Sequence, residues 1–251
     1  MFAPRSRTGR GSLCGMDGLP GDAPGWQRRL GGRLPLRSSM VWAARALAGR
    51  LERSASRRLD RGLNTSGSAW VPEHDHPDRA DYVPSPWHVL PRALRYLGVS
   101  DRDVFVEFGC GRGRVVHQAA MRPFRRVVGV EISPVLAEAA RRGLAARRHQ
   151  HRCRDVEIVV ADVTAFRVPD DLTIGYLFHP FGGETFESVL RGIVESIDRN
   201  PRRVRLIYVL PQERAQVLAT GRFRLLKEQY SKLLDAPPSR PSSPVAIFES
   251  V

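Results

Sequence analysis

Three glycines at alternating positions, Gly109, Gly111 and Gly113, sit between an apolar run and a stretch that reads as a helix. Glycines spaced this way let the backbone turn tightly and come close to a ligand, while the first N–H groups of the next helix line the same spot. Two carboxylates follow. Glu131 lies twenty-two residues beyond Gly109, and Asp162 closes the apolar segment EIVVA. A carboxylate at the end of a second strand can accept both hydroxyls of a ribose. One at the end of a third strand can accept a hydrogen bond from an adenine amine. Each also has a plainer reading: Glu131 as a helix N-cap contact, a task Ser133 fits better, and Asp162 as a cap or turn residue. The loop reads G-x-G-x-G, with Arg114 where a dinucleotide fingerprint has its third glycine, so nothing in it is specific for a pyrophosphate.

The elements around these residues alternate. Strands are expected at 104–108, 127–132, 156–160, 172–178 and 204–210. Helices are expected within 85–99, from about 112, and over 134–146 and 184–197. Strand–helix alternation over this length implies a doubly wound, mostly parallel α/β sheet. FRLLKEQY and PVAIFES add two strands with no full helix between them, expected as an antiparallel hairpin closing one edge. The fold expected is therefore a seven-stranded Rossmann-like sheet with an antiparallel edge hairpin and a disordered or partly helical N-terminal extension.

E-F-G-C-G-R-G, V-G-V-E-I-S and V-V-A-D-V at these spacings resemble class I S-adenosylmethionine-dependent methyltransferases. Y-V-P-S-P upstream and F-H-P-F after the fourth strand resemble a branch with Y-x-P-[ST]-P and N-P-F motifs, and protein-lysine methyltransferases have comparable upstream segments. The resemblance covers residues 82–251. It implies S-adenosylmethionine as cofactor, with Gly109, Gly111 and Gly113 passing its methionine half and Glu107 approaching its amino group. Glu131 would hold the ribose, Asp162 and the Val163 N–H would read adenine, and Tyr82 and Ser85 would close over the methionine end. Cys110 is expected as a small filler. The acceptor wall would be Tyr176 to Phe181, with Tyr176, His179 and Phe181 nearest the chemistry. His179 replaces the Asn or Asp usual in amine methyltransferases and could accept a hydrogen bond or a proton. The activity implied is methyl transfer to nitrogen of a protein side chain or small amine. The alternatives are an RNA methyltransferase and a non-catalytic module that binds the cofactor or a partner.

Composition bounds the rest. The 251 residues carry a net charge of +14, and 38 of the 40 basic residues are Arg. Such basicity suits a nucleic-acid partner, but so lopsided a choice of Arg over Lys also fits compositional bias. Before Tyr82 there are 14 Arg against 8 acidic residues, and from Tyr82 onward 26 basic against 18 acidic. Residues 1–39 read as a disordered basic lead-in, and 40–81 as an amphipathic helix followed by a polar linker. The early Arg and Ser fit an organellar transit segment as an alternative, and Met16 and Met40 offer alternative starts. No apolar run is long enough to cross a bilayer. Three cysteines without metal-ligand spacing argue against zinc and disulfides and for a reducing, cytoplasmic setting. His74 and His76 beside Asp75 are expected to be exposed, with no metal.

Overall fold

The computed structural model of the protein describes residues 58–69, 72–231 and 243–251. The expected lead-in over 1–39 lies outside them, as do residues 40–57 of the helix expected over 40–63; residues 58–60 are helical and 61–63 form a turn. Seven strands form one sheet: β1 (Val104–Phe108), β2 (Arg126–Glu131), β3 (Asp155–Val160), β4 (Ile174–Phe178), β5 (Arg205–Val209), β6 (Phe223–Ser231) and β7 (Ser243–Ser250). Their spatial order is β3-β2-β1-β4-β5-β7-β6. The first five are parallel, and β7 lies antiparallel between β5 and β6. The expected hairpin therefore closes the edge.

The central strands are apolar nearly throughout because both of their faces are covered. Alternate residues supply two separate cores. Phe105, Val127, Ile174, Ile207 and Ile247 face one layer, built from α1 (Val89–Leu97), α2 (Arg114–Ala120) and α3 (Pro134–Ala146). Val106, Phe108, Val128, Leu177, Leu206 and Phe248 face the other, built from α4 (Gly183–Arg199) and the short α5 (Arg214–Ala219). A one-residue slip in any strand would exchange the two sets, so the sequence pins the register. α5 was not anticipated, being only six residues long.

β1 pairs with β2 on one side and β4 on the other. The chain winds outward in both directions from this point, so the loops after β1 and β4 diverge and leave a crevice at the strands' carboxyl ends. The glycine loop follows β1 and the His179 loop follows β4, which brings the two sequence motifs face to face.

α2 is buried along its whole length, polar residues included. His117 Nδ1 lies 3.0 Å from His151 Nε2, and its ring meets Trp87 edge-on. Burial, with help from His151 and Arg147, pushes His117 from 6.5 down to about 4. The folded state therefore holds this ring neutral where the unfolded chain would protonate it. Its contribution is complete above about pH 6.5 and is lost as pH falls towards 4. Denaturant midpoints across that window should fall with pH in the wild type and fall less steeply in His117→Asn. Equal slopes would refute the assignment.

Candidate active site

The crevice is a cavity of about 280 Å³ with mainly apolar walls. It is lined by ten of the twelve residues singled out above: Tyr82, Ser85, Glu107, Gly109, Gly111, Glu131, Asp162, Val163, His179 and Phe181. The two others lie outside it. Gly113 adopts a left-handed φ of 76° before α2, and a Cβ there would stand 2.9 Å from the Ala140 Cβ, so it sets how closely α2 packs on α3. Tyr176 is fully buried, and its hydroxyl bonds the Ser85 Oγ at 2.5 Å. The expectation that Tyr176 forms part of the acceptor wall is corrected accordingly: it anchors Ser85 from inside the core.

The glycine loop is held from behind. Gly109 N–H and Cys110 N–H both donate to the Val130 carbonyl, and Gly111 N–H donates to Glu131 Oε2 at 2.7 Å. Gly111, at φ 53°, has no room for a side chain, since a Cβ would lie 2.3 Å from the Tyr82 ring. Gly109 is pressed in the same way by Pro180, 2.6 Å from a Cβ built there. These contacts, in addition to the turn itself, demand glycine.

Glu131 also accepts the Ser133 N–H on Oε1, at 3.0 Å. Ser133 makes no side-chain cap bond of its own, contrary to the division of labour expected from the sequence. The buried Glu107 accepts the Val116 N–H at 3.1 Å. Burial, and secondarily the Glu131 charge, hold its carboxyl well above the usual 4.5. The Cys110 thiol is raised too, by burial and then by Glu107 and Glu131, so it stays protonated and acts as filler. Asp162 accepts the Thr164 N–H and hydroxyl on Oδ1 and is paired with Arg79 at 2.6 Å on Oδ2. Burial raises its carboxyl, but the Thr164 bonds and Arg79 outweigh this and leave it below 3.8.

Arg79 belongs to the segment expected as a linker, and that segment spans the cavity. Ala80 N–H donates to the Pro180 carbonyl, and Arg79 pairs with Phe181 as an isolated β-bridge. The Asp78 carbonyl accepts the Gly182 N–H at 2.7 Å, and its carboxylate accepts the Thr185 N–H in the first turn of α4, whose own N-cap is a glycine. Further back, Asp60 accepts the Thr65 and Ser66 N–H groups and pairs with Arg114 at 3.6 Å. Arg114 in turn donates to Thr65 Oγ1, the Ser85 carbonyl and Ser66 Oγ, and lies over the Trp87 ring. Burial alone would raise the Asp60 carboxyl, yet hydrogen bonds from Thr65 and Ser66 and the Arg114 charge keep it below 3.8. Arg114 was visible in the sequence as the missing third glycine, but its partners lie about fifty residues upstream and carried no periodic signal.

On the opposite wall, His179 has a left-handed φ of 40° directly after β4. Its Nδ1 lies 3.5 Å from the Tyr208 hydroxyl and 3.6 Å from Glu213 Oε2. Phe178, Pro180, Phe181 and Leu210 complete that side. Among the described residues no group of His, Cys, Asp and Glu is arranged to hold a metal, and no helix is long and apolar enough to cross a membrane.

Comparison with known proteins agrees with this geometry. Residues 105–199 match the model of a methyltransferase domain. A protein-lysine N-methyltransferase of Saccharolobus islandicus (strain REY15A) is 32% identical over 90 residues, which are 33% of this chain and 55% of that protein. The chain thus spans little more than half the length of this curated relative. A solved structure of a candidate RNA methyltransferase from Pyrococcus horikoshii superposes with a TM-score of 0.51 at 15% identity, covering 78% of this chain and 97% of that one, a likeness of fold. Residues 105–199 thus resemble a methyltransferase domain, and the match, the relative and the fold together support an S-adenosylmethionine-dependent methyltransferase with S-adenosylmethionine as its cofactor.

Loss of one partner from a buried ion pair costs roughly 3–5 kcal/mol. Arg114→Met should therefore destabilise the protein by about 3 kcal/mol and speed amide hydrogen exchange over residues 60–69, with β1 and β2 still protected. Unchanged exchange over 60–69 would show that Arg114 does not hold this segment.

Proposed function

We propose that the protein transfers a methyl group from S-adenosylmethionine to a nitrogen of a protein side chain or small amine. The observation that carries this reading is the apolar cavity with carboxylates set into its wall at the switch point, where Glu131 ties the glycine loop to the start of α3. Three of its carboxylates, Glu107, Glu131 and Asp162, suit a cofactor that bears a cationic amino group, a ribose diol and an adenine amine. The cradle is already formed: Gly109 and Gly111 bring bare backbone to the wall where a Cβ would collide with Pro180 or Tyr82.

When bound, S-adenosylmethionine supplies a methyl group on a positively charged sulfur, so the protein has mainly to align an unprotonated nitrogen with it. Gly109 and Gly111 would flank the methionine half, with Glu107 at its amino group. Glu131 would accept the ribose hydroxyls, since a carboxylate can take several hydrogen bonds. Asp162 and Val163 would hold the adenine edge. Tyr82 and Ser85 would close the methionine end, Ser85 being fixed by Tyr176. Phe178 and Phe181 would keep water out and present ring faces to a cationic nitrogen. His179 would take the acceptor's proton. Nitrogen as acceptor is supported by this aromatic wall with its histidine and by the name of the Saccharolobus relative.

Calorimetry should detect S-adenosylmethionine binding by the wild type and at least tenfold weaker binding by Glu131→Ala. Absence of binding by the wild type would sink the reading. Labelled methyl groups offered to a fractionated cell lysate should enter protein or small amines. Label in RNA alone would replace the nitrogen acceptor by RNA, and no label at all would favour a binding module.

The raised Glu107 carboxyl gives a second test. Without ligand it favours the protonated form, whereas pairing with a cationic amino group needs the carboxylate. Affinity should fall as the buffer is taken from neutral to mildly acidic, with proton release visible as a dependence on buffer ionisation heat. Glu107→Gln should flatten that profile, and an equally steep profile in the variant would remove Glu107 from the role.

A further inference from the structure

We infer that Glu213 and Tyr208 position His179 as the proton acceptor for the methyl-accepting nitrogen by fixing its ring in the tautomer that carries hydrogen on Nδ1. The inference rests on the methyltransferase reading above. Neither residue lines the cavity, and neither stands out in the sequence. Tyr208 is in β5, beside β4, and its buried ring stacks on Phe186 at 5.3 Å. Its hydroxyl donates to Glu213 Oε2. Burial, the hydrogen bond to Glu213 and the Glu213 charge all push the phenol upward, so it remains a donor.

With its hydrogen committed to Glu213, the Tyr208 oxygen offers only lone pairs to His179 Nδ1, 3.5 Å away. Glu213 Oε2, 3.6 Å from the same nitrogen, is likewise an acceptor. Two acceptors facing one ring nitrogen require that nitrogen to carry the hydrogen, which leaves the lone pair on Nε2. His179 lines the cavity. Of the carboxylates there, Glu107 and Glu131 hold backbone N–H groups, Asp162 holds Arg79 and Thr164, and Asp81 is exposed.

The surroundings are shaped for this arrangement. His179 and Leu210, which directly follow β4 and β5 and both line the cavity, are non-glycine residues with left-handed φ values of 40° and 54°. Backbone held in that region is costly and persists where the neighbouring structure enforces it, often at functional sites. Gly182 leaves the space Glu213 occupies, since a Cβ there would lie 2.7 Å from Glu213 Oε1.

In the reaction, an ammonium acceptor gives a proton to His179 Nε2. The resulting imidazolium keeps its Nδ1 hydrogen and faces the Tyr208 oxygen and the Glu213 carboxylate, which stabilise its charge. The freed nitrogen lone pair forms the new bond to the methyl carbon, and the electron pair of the broken carbon–sulfur bond stays on sulfur. Glu213 and Tyr208 are positioning residues, and of the three only His179 touches the acceptor.

Nitrogen NMR of the full chain labelled at its seven histidines reads this directly. His179→Ala identifies the His179 resonances. At a pH where the ring is neutral, the wild type should show a protonated Nδ1 and a bare Nε2. Tyr208→Phe and Glu213→Gln should each move the ring towards a tautomer mixture and slow methyl transfer to lysate protein by roughly tenfold or more, within the ordinary range for a general base. An Nε2–H tautomer in the wild type, or shifts unchanged in both variants, would overturn the inference. S-adenosylmethionine calorimetry on the same samples separates the two proposals. Binding should survive in both variants, and its absence in the wild type would remove the methyltransferase reading while the resonances still decide the tautomer.

Discussion

The Glu131 carboxylate joins the two halves of the site. One oxygen takes the N–H of Gly111, in the loop after β1, and the other takes the N–H of Ser133, at the entry to α3. Both groups are in the buried interior, where an unpaired donor costs about 1–3 kcal/mol. The loop and the helix entry are thus fastened by a single side chain at the end of β2. Because β1 and β2 are parallel and in register from Val104↔Arg126 to Phe108↔Val130, that side chain can reach both. The Val130 carbonyl bonds behind the loop and the Tyr82 ring against Gly111 hold the same loop from other sides.

The wall facing solvent is made by chain from before the sheet begins. Residues 78–85 are fixed at Asp162, just after β3, at the Pro180–Gly182 loop, just after β4, and at Tyr176 inside β4. Segment 60–66 then fastens to the glycine-loop side through Arg114. An open α/β sheet provides a crevice but no roof, and here the roof is held mainly by hydrogen bonds and ion pairs. Such contacts depend on a few exact partners, whereas the sheet depends on a repeating apolar pattern.

That difference explains what could be read from the sequence. The strands and α3 fall within a residue or two of where apolar runs and Pro134 put them, because burial on both faces imposes a period on the chain. The glycines and the two acidic residues were legible for a related reason: the fold fixes where they sit, at the ends of β1, β2 and β3. What was missed had no period. Arg79 is one charge in a polar linker, and Glu213 stands in no motif or periodic pattern. Tyr176 is set by strand alternation. At an interior position of β4 it must point into one core or the other, and the Ser85 contact shows that it points inward, beneath the site.

The Arg excess also changes meaning once its partners are seen. Arg202 donates to the carbonyls of Leu172, Ser196, Asn200 and Pro169 and to Ser196 Oγ, joining the end of α4 to the turn before β4. Arg205 reaches the Leu97 carbonyl and Asp103, and Arg141 reaches the Ile158 carbonyl. A guanidinium has five donors in a rigid fork, so one side chain can satisfy several loop carbonyls that would otherwise need separate partners, and an ammonium cannot match that geometry. In these places Arg is chosen for hydrogen bonding, and the positive charge comes with it. A net charge of +14 is therefore weak evidence for a nucleic-acid partner, because part of it belongs to residues that stitch the domain together. The acceptor is better sought at the His179 wall, where aromatic rings and a held imidazole face the same cavity as the carboxylates.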